Sequence, residues 1–247
     1  MGSIVMMHQP NYLPWIGLFS KISMADCFVV MDNFQYTRDG VIHRNKIRTN
    51  TGSGYLTIPI NKDFRTALIK EVELPLDQKW RETHWQMIYR NYLKTDFFLQ
   101  YENFFKNLYQ KDFVYLWQIN MEIILYLLKC FDINVEIIAA SDLALDPNLK
   151  HTDMIIAVLK KLGAQTYLSG PSGRKYIEIK KLQENGFNLE FSAFSHPVYK
   201  QRYPGFVPNM AAIDLLFNMG PESNQIIRSS GSIDNFCFTQ QPDRLSK

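Results

Sequence analysis

The first residues that could do chemistry lie in a polar loop near the start of the chain, which reads HQPNYLPWIG from residue 8 to 17. Because an imidazole exchanges protons near neutral pH, His8 could act as a general acid or donate a hydrogen bond to a phosphate. A neutral His8 bonded to a nearby backbone carbonyl accounts for the same residue equally well. The helix expected after the loop would point free N–H groups at an anion. The candidate site residues of this loop are His8, Gln9, Asn11, Tyr12 and Trp15.

A second polar segment, SGPSGRK at residues 169–175, follows a predicted strand and precedes a predicted helix. Two glycines, two hydroxyls and two cations at the start of a helix suit a ligand that carries phosphate groups. The segment is not a Walker A loop, because the GxxxxGK[ST] spacing is missing. A polar turn with a solvated Arg–Lys pair is the alternative. The candidate residues here are Ser169, Gly170, Ser172, Arg174 and Lys175.

A third segment, HRNKIR at residues 43–48, lies in a predicted hairpin strand. Alternation along a strand places Arg44, Lys46 and Arg48 on one face. Such a row of cations would attract an anionic ligand, and Arg suits bidentate contacts with phosphate or carboxylate. A solvated edge strand with protective charges explains the same pattern equally well. The candidate binding residues here are His43, Arg44, Asn45 and Lys46.

The elements around the first loop follow the order of a parallel α/β sheet. An apolar run at residues 3–7 is followed by helical spacing at 15–24 and by a β-prone run at 27–31. A strand, a helix and a buried strand within about 30 residues indicate a βαβ unit. Open parallel sheets bind ligands at the carboxyl ends of their strands, where His8 and Asp32 both lie. We therefore take His8 and Asp32 as the candidate catalytic residues.

The middle of the chain has a different pattern, which predicts an insertion at about residues 34–131. The expected strands lie at 41–48, 55–60 and 67–74, and the expected helices at 84–93, 97–109 and 114–131. From residue 134 the strand–helix alternation resumes, including a helix at 175–184. We predict a single α/β domain over residues 1–227, with a parallel-sheet core and a helical and β-hairpin insertion. Residues 228–247 are polar and patternless, which predicts a weakly ordered tail.

Composition limits the class of protein. A net charge of +3 is too small to indicate nucleic-acid binding, which usually needs a clustered basic face. No apolar run approaches the roughly 20 residues of a membrane span, and the first apolar run is too short for a signal peptide. Cys27, Cys130 and Cys237 lack metal-ligand spacing and are typical of a reducing compartment. We therefore expect a cytoplasmic protein that spans no membrane, binds no nucleic acid and has no metal-ligand cluster.

Four segments of the chain resemble the WbqC-like protein family. They are MHQPNYLPWIGLFSKISMADCFVVMDNFQY, HRNKIRTNTGSGYLTIPI, YLSGPSGRKYI and FVPNMAAIDLLFNMG. The resemblance as a whole extends from about residue 4 to 220. Genes of this family commonly lie in clusters for O-antigen and other surface-polysaccharide biosynthesis, often near enzymes that make nucleotide-linked amino sugars. The resemblance therefore implies a bacterial protein of lipopolysaccharide precursor synthesis, with a nucleotide sugar as its small-molecule partner.

A looser resemblance concerns the HUP superfamily of nucleotidylyltransferases and related ATP-using ligases. In that superfamily a His-containing loop follows the first strand, and a later strand–loop–helix carries a phosphate motif with Ser and Arg. Residues 8–17 resemble the first part, and residues 169–174 resemble the second. The second His of the usual HxGH signature is missing, since Trp15, Ile16 and Gly17 stand there. The missing His puts nucleotidyl transfer in doubt, whereas nucleotide binding remains an expectation.

The leading functional hypothesis is an enzyme that forms an amide between the amino group of a dTDP- or UDP-linked sugar and an acyl or aminoacyl group. It would be a transferase or an ATP-dependent ligase, and ATP with Mg²⁺ is the cofactor expected of a ligase. His8 or Asp32 would handle protons. Tyr12 or Trp15 would stack on a base. Three cations would hold the phosphates: Arg44, Lys46 and Arg174. The alternatives are nucleotidylyl transfer and a non-catalytic binding protein for a glycan precursor.

Overall fold

The apolar runs of the sequence form one open sheet in the computed structural model, which describes residues 3–234. In chain order the strands are Ile4–His8 (β1), Cys27–Val30 (β2), Arg44–Thr49 (β3), Gly52–Thr57 (β4), Glu136–Ala139 (β5), Thr166–Ser169 (β6), Asn188–Phe194 (β7) and Gly231–Asp234 (β8). The main sheet has the order β5-β2-β1-β6-β7-β8, and β3 pairs with β4 as a separate hairpin. The five strands from β5 to β7 are parallel, whereas the edge strand β8 is antiparallel to β7.

The course of the chain through the sheet produces a topological switch point between β1 and β6. From β1 the chain moves outward through β2 to β5, and it then returns to the other side of β1 to form β6 and β7. This order of five parallel strands is that of doubly wound nucleotide-binding sheets. Such sheets bind ligands at the switch point, in the crevice outside the carboxyl ends of the strands.

Helices cover both faces of the sheet. Within residues 3–234 they are Ile16–Ile22 (α1), Lys79–Tyr92 (α2), Phe98–Leu108 (α3), Leu116–Cys130 (α4), His151–Leu162 (α5), Ile179–Glu184 (α6), Ala212–Met219 (α7) and Ser223–Ser230 (α8). The larger apolar core joins Met6 and Phe28 to all of these helices except α5 and α6. A smaller core joins Val5 and Val29 to α5 and α6 on the other face. Alternate residues of a strand point to opposite faces, and therefore Val5 and Met6 enter different cores.

The segment between β2 and β5 packs on the same face of the sheet as α1. It contains the hairpin β3–β4 and the helices α2, α3 and α4. Ile47 and Leu56 of the hairpin and Ile88 of α2 belong to the same apolar core as Met6 of β1. The predicted fold class, a parallel-sheet core with a helical and β-hairpin insertion, is therefore confirmed.

The strand expected at residues 67–74 is wrong. This segment contains a short 3-10 helix at Ile69–Glu71, and it pairs with its neighbours only through isolated bridges. Ile69 and Val72 are fully buried at a spacing of three residues. That spacing fits the three residues per turn of a 3-10 helix, and it does not fit the two-residue alternation of a strand.

Two boundaries in the C-terminal half also differ from the prediction. The helix expected at 175–184 begins at Ile179, because a 3-10 turn occupies Pro171–Lys175. Residues 228–234, which were expected to belong to a weakly ordered tail, lie in regular structure, since α8 and β8 continue to Asp234. Strand β8 has no apolar alternation of its own and takes its conformation from pairing with β7. The rest of the predicted tail, residues 235–247, lies outside the described residues.

Candidate active site

A cavity of about 630 Å³ lies at the switch point, between the carboxyl ends of β1 and β6. Its volume falls within the range of roughly 300–1,000 Å³ that is usual for small-molecule sites. Its walls come from β1 and the loop after it, from α1 and α5, and from the segment after β6. The predicted site residues that line it are His8, Gln9, Trp15, Ser169, Gly170 and Ser172.

His8 ends β1 and lies in the wall of this cavity. Its Nδ1 lies 2.8 Å from the carbonyl oxygen of Gln9, and because a carbonyl only accepts, Nδ1 carries the proton. Burial, together with the nearby Lys21 ammonium, lowers the pKa of His8 from 6.5 to about 4. The imidazole is therefore neutral at pH 7, and its Nε2 is left with a lone pair that can accept a proton.

Lys21 of α1 also lines the cavity, although it is only 8% exposed. Its Nζ donates a hydrogen bond to the carbonyl oxygen of Met7 at 3.3 Å. Within residues 3–234 no carboxylate forms an ion pair with this ammonium, and burial lowers the pKa of Lys21 from 10.5 to about 8. A buried cation that has one neutral partner is costly, so Lys21 calls for a functional explanation.

Hydroxyl groups line the buried floor of the cavity, and aromatic rings line its exposed mouth. The Ser169 hydroxyl donates to the carbonyl oxygen of Gly170 at 3.0 Å, and the Ser192 hydroxyl donates to that of Ser169 at 3.3 Å. Both hydroxyl groups can turn toward a ligand, because their hydrogen rotates freely. At the mouth, His151 and Tyr176 are exposed, with ring centroids 5.8 Å apart.

Trp15 forms a fixed aromatic wall of the cavity. Its indole lies against Gly17, where an added Cβ would be 2.4 Å from the ring carbons. Position 17 therefore requires glycine as long as the indole keeps this place. The indole also meets the ring of Phe194 edge-on, with centroids 4.9 Å apart. A rigid ring of this kind can pack against the flat face of a base or a sugar.

Tyr12 and Asn11, two other candidates from the opening loop, are buried and do not line the cavity. The Tyr12 hydroxyl lies 2.5 Å from Tyr109 Oη and 2.8 Å from His84 Nδ1. Burial raises the pKa of this hydroxyl well above its usual value. Tyr12 therefore holds the loop against α2 and the C-terminal end of α3 through hydrogen bonds. It is not placed to stack on a base.

Two asparagines hold the backbone of the opening loop. Asn45 of β3 donates through Nδ2 to the carbonyl oxygen of Leu13 at 2.6 Å. Asn120 of α4 donates to the carbonyl oxygen of Pro10 at 2.8 Å. Leu13 has a φ of 43°, a left-handed conformation that is unfavourable for a residue with a branched side chain. Asn45, a predicted binding residue, thus supports the site from outside the cavity.

The other hairpin candidates also lie outside the cavity. His43 is buried, its Nδ1 lies 2.9 Å from the Tyr36 hydroxyl, and burial lowers its pKa to about 4. Arg44 and Lys46 lie over the exposed ring of Tyr55, at 5.5 Å and 5.9 Å from its centroid. The hairpin therefore presents its cations on a surface that is separate from His8.

The expected row of three hairpin cations is wrong, because Arg48 is buried. It is 3% exposed, and its guanidinium donates to five carbonyl oxygens, those of Thr49, Gly52, Tyr203, Pro204 and Gly205. These contacts satisfy the buried charge with backbone dipoles. Arg48 ties the hairpin to the loop that precedes α7.

The segment after β6 is divided between the cavity and the surface. Ser172 lines the cavity, whereas Arg174 and Lys175 do not. Arg174 forms an ion pair with Asp234 at 2.7 Å and lies over the ring of Phe191 at 4.0 Å. Lys175 is exposed. The helix start that the sequence predicts at this point is absent, because a 3-10 turn follows β6 directly.

Asp32 lies just past β2 and lines a different groove, beside α4. Its carboxylate accepts hydrogen bonds from the backbone N–H of Ser141 at 3.0 Å and from the Ser141 hydroxyl at 2.6 Å. Both oxygens are thus engaged in holding the turn after β5. The structure does not bring Asp32 into the cavity that His8 lines.

Sequence reasoning missed Lys21, His151 and Tyr176. For Lys21 the sequence does carry a signal, because it lies four residues after Gly17 and three after Leu18. It is therefore on the face of α1 that the apolar residues mark as buried. For His151 and Tyr176 the local sequence carries no such signal. Only the packing of α5 against the segment after β6 brings them to the mouth of the cavity.

Neither membrane spans nor metal-ligand clusters occur in the part of the chain that the structure describes. Its helices lack the combination of length and hydrophobicity that crossing a bilayer requires. Groups of three or more His, Cys, Asp or Glu side chains that could hold a metal ion are also absent from residues 3–234.

The fold and the cavity define a class of protein: an open, mostly parallel α/β sheet with a cavity of small-molecule size at its switch point. The chain matches the WbqC-like protein family over residues 9–226, and it belongs to that family. It is 27% identical to the uncharacterized protein Rv1507c of Mycobacterium tuberculosis over 228 residues, which cover 89% of this chain and 95% of that protein. No solved structure matched the chain.

Proposed function

We propose that this protein transfers an acyl or aminoacyl group to the amino group of a dTDP- or UDP-linked sugar, in the synthesis of a surface-polysaccharide precursor. The product is an amide, and His8 accepts the proton that the sugar nitrogen loses. Membership of the WbqC-like family supports the substrate class, since genes of that family commonly accompany enzymes that make nucleotide-linked amino sugars.

The observation that carries this proposal is the neutral imidazole of His8 in a cavity at the switch point. A parallel sheet of this order binds nucleotides at that place. The hydrogen bond to Gln9 fixes the tautomer, so that Nε2 is the nitrogen left to accept a proton. A positioned base beside a bound amine is the minimum that acyl transfer requires of the protein.

The chemical step follows from this tautomer. The lone pair of the sugar nitrogen attacks the carbonyl carbon of an activated acyl donor, such as a thioester. The new C–N bond forms, the carbon–sulfur bond breaks, and the sulfur leaves with the electron pair. The nitrogen becomes strongly acidic as the C–N bond forms, so a base with the low pKa of His8 suffices to take its proton. His8 then passes that proton to the departing thiolate.

The residues of the cavity fit a preactivated acyl donor better than ATP with Mg²⁺. Magnesium in nucleotide sites is held by one or two carboxylates together with the phosphates. No Asp or Glu of the described residues lines this cavity, and Asp32 is engaged with Ser141 in another groove. We therefore derive no step through ATP, and its use stays a prediction of the ligase hypothesis.

The test is to incubate the purified protein with dTDP- and UDP-amino sugars and acyl thioesters, and to follow the amide product by mass spectrometry. The His8→Ala variant is expected to lose about 10²- to 10⁴-fold in turnover, as for a missing general base, while it retains substrate affinity. The Asp32→Asn variant is the matched control and should keep its turnover. Unchanged turnover in His8→Ala would contradict the proposed role of His8, and loss of turnover only in Asp32→Asn would move the chemistry to the other groove.

Nucleotidylyl transfer is a second candidate, which the strand order and the position of His8 at the end of β1 favour. The second half of the HxGH signature is replaced by Trp15, Ile16 and Gly17, and this difference weakens the case for nucleotidylyl transfer. Release of pyrophosphate from a nucleoside triphosphate in the presence of a sugar phosphate would identify this reaction. A non-catalytic binding protein would bind the nucleotide sugar with no product in either assay.

A further inference from the structure

We infer that the floor of the cavity is a phosphate-binding site built on Lys21, which holds the diphosphate of the substrate. The inference deepens the proposed function and rests on it for the identity of the ligand. The phosphates are assigned to Lys21 and not to the cations of the hairpin and of the segment after β6, which the sequence had suggested.

The charges around the cavity are unbalanced. Lys21 is the only Lys or Arg among the described residues that line the cavity, and no Asp or Glu of those residues lines it. His8, the neighbouring titratable group, is neutral at pH 7 and cannot compensate a cation. The cavity therefore presents one positive charge to any ligand that enters it, and an anion is the complementary partner.

The contacts of Lys21 leave room for such an anion. An ammonium has three N–H donors, and Nζ uses one of them on the carbonyl oxygen of Met7. Ser169 and Ser192 are also buried and line the same cavity, and their hydroxyls can turn to donate to phosphate oxygens. A side chain that is 8% exposed has lost most of its water, so a hydrogen-bonded anion would stabilise its charge strongly.

The position of Lys21 also orients the ligand. The ammonium is close enough to His8 to disfavour a second positive charge on the imidazole. A diphosphate at Lys21 would therefore place the attached sugar beside Nε2 of His8. The base would extend to the exposed mouth, where the rings of His151 and Tyr176 lie. This order of groups is that of a nucleotide sugar, with the diphosphate between the base and the sugar.

The phosphate cations expected from the sequence have other partners. Arg44 and Lys46 lie over Tyr55 on the hairpin surface, and Arg174 is paired with Asp234. None of these three cations lines the cavity. Lys21 therefore replaces them as the contact for phosphate.

The experiment compares wild-type protein with Lys21→Met and Lys21→Gln by calorimetric titration at pH 7. The probes are UDP, inorganic pyrophosphate, uridine and malonate. Lys106→Met, at an exposed lysine of α3 away from the cavity, is the control with the same change in net charge. We expect both Lys21 variants to weaken UDP and pyrophosphate about 10- to 100-fold, as for the loss of a hydrogen bond to a charged group. Uridine should bind all four proteins alike.

Melting temperatures give a second test, which still applies if one of the variants folds poorly. Because Lys21→Met removes a buried charge that has no anionic partner, the melting temperature of the ligand-free variant should equal or exceed that of the wild type. At one fixed concentration, pyrophosphate should raise the melting temperature of the wild type and of Lys106→Met clearly more than that of either Lys21 variant.

Two results would overturn the inference. One is equal binding of UDP and pyrophosphate by the wild type and both Lys21 variants. The other is tight binding of malonate without binding of pyrophosphate, which would assign the cation to a carboxylate. Binding of pyrophosphate through Lys21 without binding of any amino-sugar nucleotide would refute the proposed function alone. Binding of the nucleotide sugar regardless of Lys21 would refute this inference alone.

Discussion

His8 and Lys21 show how the same physical cause gives two residues different charges. Burial lowers the pKa of both side chains, to about 4 for His8 and to about 8 for Lys21. Because the imidazole starts near 6.5 and the ammonium near 10.5, His8 becomes neutral at pH 7 while most of Lys21 stays charged. One cavity thus offers a proton acceptor and an anion partner side by side.

These pKa values predict a pH dependence of phosphate binding. Lys21 is charged below its pKa and neutral above it, so its contribution to the affinity for pyrophosphate should be fully present below about pH 7 and fall as the pH rises past about 8. A bound anion raises the pKa of its partner, which moves the loss to somewhat higher pH. The other titratable groups that line the cavity are His8, which is neutral at pH 7, His151, and two tyrosines whose pKa values are raised by burial, Tyr167 and Tyr176.

Calorimetric titrations at a series of pH values check this prediction. In Lys21→Gln the remaining weak binding should lose its dependence on pH above 7. A profile that is flat through pH 9 in the wild type, or that is the same in the wild type and Lys21→Gln, would contradict the assignment of the charge to Lys21.

The hairpin β3–β4 supports the opening loop without entering the site. Asn45 donates to the carbonyl oxygen of Leu13, the loop residue with a left-handed backbone, and its Oδ1 accepts the backbone N–H of Lys46 at 2.8 Å. The side chain of Lys46 points the other way, over Tyr55. One face of the strand thus stabilises the loop, and the other forms a charged surface.

This division predicts different effects for two neighbouring residues. Asn45→Ala leaves the buried carbonyl of Leu13 without its partner, so the free energy of unfolding should fall by about 1–3 kcal/mol. The affinity for the nucleotide sugar should fall as well, because Trp15 and His8 flank the loosened loop. Lys46→Ala should leave both quantities nearly unchanged, since an exposed cation contributes little. Urea unfolding and calorimetry measure the two quantities.

The opposite pattern of effects would contradict the supporting role of the hairpin. If Lys46→Ala abolished ligand binding while Asn45→Ala bound normally and unfolded like the wild type, the cations of the hairpin would be the phosphate contacts that the sequence suggested.

For the whole molecule, the sequence predicts those features that depend on local pattern. The buried runs at β1 and β2 and the loop between them predict the parallel sheet, and therefore the location of His8 at a strand end. Features that depend on tertiary packing could not be predicted from the sequence. Nothing local distinguishes Tyr12, which is buried by α2 and α3, from Trp15, which lines the cavity.

We claim that the cavity at the switch point binds the nucleotide-linked amino sugar, and substitution of Gly170 tests this claim by obstructing the cavity. Gly170 lines the cavity with an extended backbone, at a φ of −75°, and a Cβ added there would have no atom within 4 Å. A large side chain at this position therefore strains no backbone, and from the wall of the cavity we expect it to obstruct the space where the ligand binds. Alanine at the same position is the matched control, since it adds only the Cβ.

The measurement is a calorimetric titration of dTDP- and UDP-amino sugars into wild-type protein, Gly170→Ala and Gly170→Trp. We expect the wild type and Gly170→Ala to bind with the same affinity, and Gly170→Trp to show no binding while its melting temperature stays close to that of the wild type. Equal binding by all three proteins, or no binding of any such sugar by the wild type, would contradict the claim.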